Sequence, residues 1–73
     1  MAAVSGKDAV KAFERLGFQQ VRVTGSHVIL KKEGHDYVLA VPVHGNKSLK
    51  KGTLRGLIRG AGVTRKEFMD QVE

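Results

Sequence analysis

The chain has 73 residues, no cysteine, 13 Lys and Arg against 7 Asp and Glu, and a formal charge of +6. That length makes one domain spanning residues 1–73 with a thin core, and the absence of cysteine excludes disulfides and thiolate metal sites, which suits a reducing cytoplasm. The longest apolar runs are short, such as VLAVPV, so no bilayer span or signal segment is read and the protein is expected to be soluble, with no membrane partner.

The first predicted element is a helix in VSGKDAVKAFERLGF. Ser5 reads as its N-cap, with Asp8 in the first turn. Ala9, Val10, Phe13 and Leu16 recur at helical spacing and form one apolar stripe, while Lys7, Lys11, Glu14 and Arg15 lie off it. Gly17 supplies the stop, and Phe18 is the first core anchor after it.

From Phe18 to Pro42 the apolar period shortens to two. FQQVRV, SHVILKK and DYVLAV are three short strands, separated by Thr24-Gly25 and Glu33-Gly34, which are hairpin turn chemistry. The product is an antiparallel meander. In the first strand, alternation puts Val21 and Val23 on one face and Gln20 with Arg22 on the other. In the second, Val28 and Leu30 share a face, and His27 and Lys31 point toward the open side or its rim. His35 falls in a charged hairpin and is expected to be exposed.

PVHGNKSLKKG is the longest irregular connection. It leads into GTLRGLIRGAG, where Leu54, Leu57, Ile58 and Ala61 have the spacing of a buried helical face. Lys51, Arg55 and Arg59 run beside that stripe as a row of cations. Gly56 falls mid-helix, where tolerance is the simplest account. Gly62 then reads as a C-terminal cap, and VTRKEFMDQVE opens a short final helix with Thr64 as N-cap, Glu67 at the third position and Val63 stapled to Phe68. Glu67, Asp70 and Glu73 make that tail unsuited to phosphate.

Between His44 and Lys66 stand seven basic residues and no acid. Such asymmetry points to a polyanionic partner. Three histidines invite a metal site, but His27, His35 and His44 are eight and nine residues apart, not the three to five of paired ligands, so no metal is assigned. Nor does the chain show a serine, histidine and carboxylate set or a phosphate-cradling glycine loop. What remains is His27, at the mouth of a strand beside a basic surface. RNA carries its own nucleophile in the 2′-hydroxyl, and imidazole is suited to moving one proton near neutral pH, so acid–base cleavage of RNA is one reading. A hairpin histidine bonded to its own turn is the other.

Read together, LGFQQVRVTGSHVIL and VPVHGNKSLKKGTLRGLIRGAGVTRKEF resemble the HicA family of bacterial toxins, through Gly17-Phe18, Arg22, Gly25-Ser26-His27, Val41-Pro42-Val43-His44 and Gly52-Thr53-Leu54 in that order. The resemblance implies an α+β fold like that of double-stranded-RNA-binding domains: a three-stranded antiparallel sheet with both main helices on one face, followed here by the short C-terminal helix. It implies a toxin endoribonuclease, an mRNA interferase that cuts message without metal or cofactor, arrests translation, and is neutralised by a HicB-type antitoxin. It maps the catalytic role onto His27, with Gly25 and Ser26 forming the turn that presents the ring. Arg22, Gly25, Ser26, Lys31, Lys50, Lys51 and Arg55 are the candidate RNA contacts, and His44 is taken as a structural or secondary contact residue. The alternative is a non-catalytic RNA-binding module of the same fold.

Overall fold

The computed structural model describes residues 3–72, so Glu73 lies outside it. In chain order the elements are α1 (Gly6–Arg15), β1 (Gln19–Thr24), β2 (His27–Lys32), β3 (His35–Pro42), α2 (Lys51–Ala61) and α3 (Arg65–Met69). The strands form one antiparallel sheet in the order β1-β2-β3. This is the α+β architecture the sequence predicts.

Local chemistry sets the helix ends. The Ser5 hydroxyl accepts a hydrogen bond from the Asp8 backbone N–H at 3.1 Å, using one of the donors that a helix start leaves free. Thr64 and Glu67 close a full capping box around the start of α3: the Glu67 N–H donates to Thr64 Oγ1 at 3.0 Å, and the Thr64 N–H donates to Glu67 Oε1 at 2.8 Å. The Thr64 backbone N–H, and after it the Thr64 hydroxyl, also hold the Glu67 carboxyl below the usual range. α2 begins without such help, because Lys50 at its N-cap offers no acceptor side chain.

One face of the sheet carries the core. Leu30, Leu39 and Val41 are buried beneath α1 and α2, together with Ala9, Val10, Phe13, Leu57, Ile58 and Ala61. At the centre, the Phe13 ring meets Phe18 edge-on at 5.9 Å and Phe68 at 4.9 Å. Phe68 is fully buried, so the short α3 contributes an anchor out of proportion to its length. The Arg15 guanidinium ties the chain end to α1 by donating to the Gln71 carbonyl at 2.7 Å.

Three details depart from the simple strand pattern. A register shift between Gln20 and Arg22 breaks the alternation of β1. Gln20 lies opposite Leu30 and therefore faces the helices, where its amide donates to Glu14 at 3.3 Å, whereas Arg22 lies opposite Ile29 on the open face. Gln20 and Arg22 thus do not share a face. Val21 does not pair with Val23 either, since it falls in the bulge and both are more than half exposed. Counted from buried Phe18, unbroken alternation would turn Arg22 inward, so the bulge reconciles one buried aromatic with one solvated cation.

The second departure is His35, which is half-buried rather than exposed. Three residues of β3 face only Lys31 of β2 between the pairs Leu30–Leu39 and Lys32–His35. This irregularity leaves His35 on the helix side, where Nε2 donates to the Gly60 carbonyl at 2.7 Å and the ring meets Phe18 edge-on at 5.5 Å. His35 pins the end of α2 to the sheet. The third detail is the long connection after β3. It is tied to the segment before α1 by a Ser5–Ser48 bridge and by the Leu49 N–H donating to the Val4 carbonyl at 2.7 Å.

Candidate functional site

The β1–β2 hairpin closes on the pair Thr24–His27, with Gly25-Ser26 as its two-residue loop. Gly25 has φ +59° and Ser26 does not take a positive φ, the pattern of a type II′ turn, in which a glycine is favoured at the first central position. An L side chain at Gly25 would meet no neighbouring atom, so its requirement is one of backbone conformation alone. The tight turn sets the register, and the register sets where His27 points.

His27 lies opposite Thr24 on one side and Pro42 on the other. It therefore sits in the last row of the sheet, on the open face, exposed to solvent. Its ring makes no hydrogen bond among the described residues, in contrast to His35. Two rows inward, next on the same face, stand Arg22, Ile29 and Ala40, and Lys31 follows two residues further along β2. Arg22 is the diagonal neighbour of His27, about 7–8 Å away between backbones, within reach of both long side chains. Ile29 is only half-buried, so the open face is a shallow apolar strip edged by Arg22, His27 and Lys31.

The remaining predicted residues fall elsewhere. Lys50 joins a groove of about 350 Å³ at the end of β3, lined also by Pro42, His44, Lys47, Ser48 and Thr53. Because Pro42 is the strand neighbour of His27, this groove adjoins the histidine row. Lys51 and Arg55 line a different cavity, also about 350 Å³, with Val4, Leu54, Ile58, Arg65 and Met69. No strand residue contributes to it, so Lys51 and Arg55 belong to the helical layer. The structure thus divides the candidate phosphate contacts into an open-face set (Arg22, Lys31, with the Gly25-Ser26 turn), a groove set (Lys50), and a pair on the helical layer (Lys51, Arg55).

Among the described residues no three His, Cys, Asp or Glu side chains come together as a metal-binding group. No described helix is long and apolar enough to cross a membrane. What the arrangement offers at His27 is an accessible imidazole, held by a two-sided ladder, with an arginine at diagonal distance and further cations along two directions. Such a set can exchange a proton with a hydroxyl and hold a phosphate next to it.

Sequence reasoning missed the groove and the place of His44. The groove depends on the long connection folding back against Val4 and Ser5, and no periodicity signals that. A family model described as the HicA toxin of bacterial toxin–antitoxin systems matches residues 6–63, from the first residue of α1 to the residue after the α2 cap. A search of curated proteins gives no match.

Proposed function

The chain belongs to the HicA toxin family of bacterial toxin–antitoxin systems, and we propose that it acts as a metal-independent endoribonuclease that cuts mRNA in the cytoplasm and so stops translation. The observation that carries this reading is His27: exposed, with no hydrogen bond to its ring among the described residues, fixed between two strand neighbours, and diagonal to Arg22. In cleavage by this route the RNA supplies its own 2′-oxygen as nucleophile. The protein has only to move protons and balance charge at the phosphate, tasks within the range of imidazole and of Arg22, Lys31 and Lys50.

General acid–base catalysis by one positioned group contributes about 10²–10⁴-fold, and correct placement of the 2′-oxygen adds to it. The hairpin serves both ends, because the ladder on each side of His27 restricts where the ring can go. The strand direction then lays the RNA backbone past Arg22 and Lys31. A toxin of this class works with an antitoxin partner, and we assign that role to a HicB-type protein encoded beside it. A chain with 13 cations against 7 acids suits an acidic inhibitor that competes with RNA.

The test is made in cells. Inducing the wild-type gene in a bacterial host is expected to halt growth and shorten message, and co-expression of the neighbouring reading frame is expected to restore both. His27→Ala is expected to accumulate as folded protein without arrest. Growth arrest at full strength by His27→Ala would remove the proposed role of this residue. Binding of RNA by the wild type with no loss of message would favour the RNA-binding module instead.

A further inference from the structure

We propose that His44 is the second proton-transfer residue of the site, acting with His27 on opposite sides of one phosphate; the inference rests on the ribonuclease reading above. A single imidazole leaves half of the proton traffic unassigned, and the register supplies a partner. His27 pairs with Pro42, and the ladder runs one step further, with the Val43 N–H donating to the Ser26 carbonyl at 2.7 Å. Alternation along that extended segment puts residues 42 and 44 on the face of His27. His44 is then its diagonal neighbour, at a backbone separation of about 7–8 Å, on the side away from Arg22.

Three further observations support the pairing. His44 is exposed, and like His27 its ring makes no hydrogen bond among the described residues. The backbone between them is held from beneath, because α1 begins with Gly6 pressed against the Pro42 carbonyl and the Val43 backbone. His44 also lines the groove that holds Lys47 and Lys50, so a phosphate at this point has Arg22 on the sheet side and Lys47 and Lys50 beyond it, while Lys31, four residues along β2 from His27 and so about 13 Å away, is placed for a neighbouring phosphate of the RNA strand. No carboxylate lines the groove.

The step balances with these two groups. One imidazole, neutral, takes the proton of the 2′-hydroxyl as that oxygen bonds to phosphorus. The other, protonated, gives its proton to the 5′-oxygen as the bond from phosphorus to that oxygen breaks. The products are a 2′,3′-cyclic phosphate and a 5′-hydroxyl, and the two rings, left in exchanged states, are reset by solvent.

The experiment uses single-stranded RNA cleavage by the purified full chain and its His27→Ala, His44→Ala and His44→Gln variants. On ordinary RNA the pH–rate profile of the wild type is expected to have two limbs. Each histidine variant is expected to lose one limb and about 10²–10⁴-fold in rate. A second substrate carries sulfur in place of the bridging 5′-oxygen at the linkage the wild type cuts, a leaving group that departs without protonation. One histidine position, and only one, is expected to recover its rate on this substrate. His44→Gln keeps a polar side chain and so controls for folding; it must behave as His44→Ala does. Retention of both limbs and of the wild-type rate by the His44 variants, while His27→Ala is inactive, would overturn this inference and leave the ribonuclease reading intact. A wild-type protein that cuts no RNA would overturn both.

Discussion

Replacing glycine by alanine at two helix positions is expected to change stability in opposite directions. At Gly6 an added Cβ would run into the Pro42 carbonyl oxygen and lie 2.9 Å from Val43 Cα. Both are backbone atoms of the segment that carries the histidine row, so no side-chain rotation relieves the clash. Overpacking of this kind costs about 1–3 kcal/mol, which exceeds the fraction of the alanine helix preference available at a first helical residue. In a domain of this size each kcal/mol moves Tm by about 4–8 °C, so Gly6→Ala is expected to lower Tm by about 5–20 °C. Gly56, mid-helix, meets nothing within 4 Å, and there the substitution brings only the helix preference of about 0.5–1 kcal/mol and a Tm higher by a few degrees. Thermal unfolding followed by far-ultraviolet circular dichroism measures both. A Gly6→Ala protein as stable as the wild type would refute the close approach of α1 to the end of β3, and with it the support claimed for the His27 and His44 positions.

Phe68→Ala is expected to cost about 3–5 kcal/mol in urea unfolding, because its ring is fully buried against Phe13, even though α3 lies outside the residues that match the family. Thr64→Ala is expected to cost about 1 kcal/mol at neutral pH through loss of the capping box. The carboxyl of Glu67 is depressed in the folded state, so its contribution is present above the unfolded-state value and is lost as pH falls through the folded one; the gap between wild type and Thr64→Ala should therefore narrow in acid below the usual carboxylate range. If RNA runs along the open face, Arg22→Ala and Lys31→Ala should each reduce the slope of log affinity against log salt by about 0.7, and Lys51→Ala and Arg55→Ala should leave it nearly unchanged. The opposite ranking in a binding titration would move the RNA path to the helical layer.

Local features of the fold are legible in the sequence, and features set by tertiary packing are not. Helix ends were legible because capping is local: Ser5 with Asp8 and Thr64 with Glu67 each lie three residues apart, and both bonds form. The buried stripes of α1 and α2 were legible for the same reason, since spacing on a helix fixes the face. The strand details were not. Val21 and Val23 alternate with polar residues as a regular strand would, yet the bulge after Gln20 is set by the need to bury Phe18 and expose Arg22 at once, a demand that arises only when α1 is packed on the sheet. His35 reads as an exposed hairpin residue because its partner, the Gly60 carbonyl, is distant in sequence. The turn that presents His27 was legible in Gly25-Ser26. The adjoining groove was not, because its walls come from β3, the long connection and the start of α2.

These differences bear on function in one direction. The sequence groups Arg22, Lys31, Lys50, Lys51 and Arg55 as one set of candidate phosphate contacts, and the row Lys51, Arg55, Arg59 is its most conspicuous run of charge. The fold instead puts Arg22 beside His27 and assigns Lys51 and Arg55 to a cavity floored by Leu54, Ile58 and Met69. Proximity to the imidazole, more than charge density along the sequence, decides which cations share a phosphate with it.

The most direct measurement is cleavage of a labelled single-stranded RNA by the purified protein in the presence of EDTA, with wild type and His27→Ala compared at equal concentration and equal circular dichroism. Discrete fragments ending in 2′,3′-cyclic phosphate are expected from the wild type, and intact RNA from the variant. Equal fragmentation by both proteins, or cleavage by the wild type only when divalent metal is restored, would contradict metal-independent cleavage by His27.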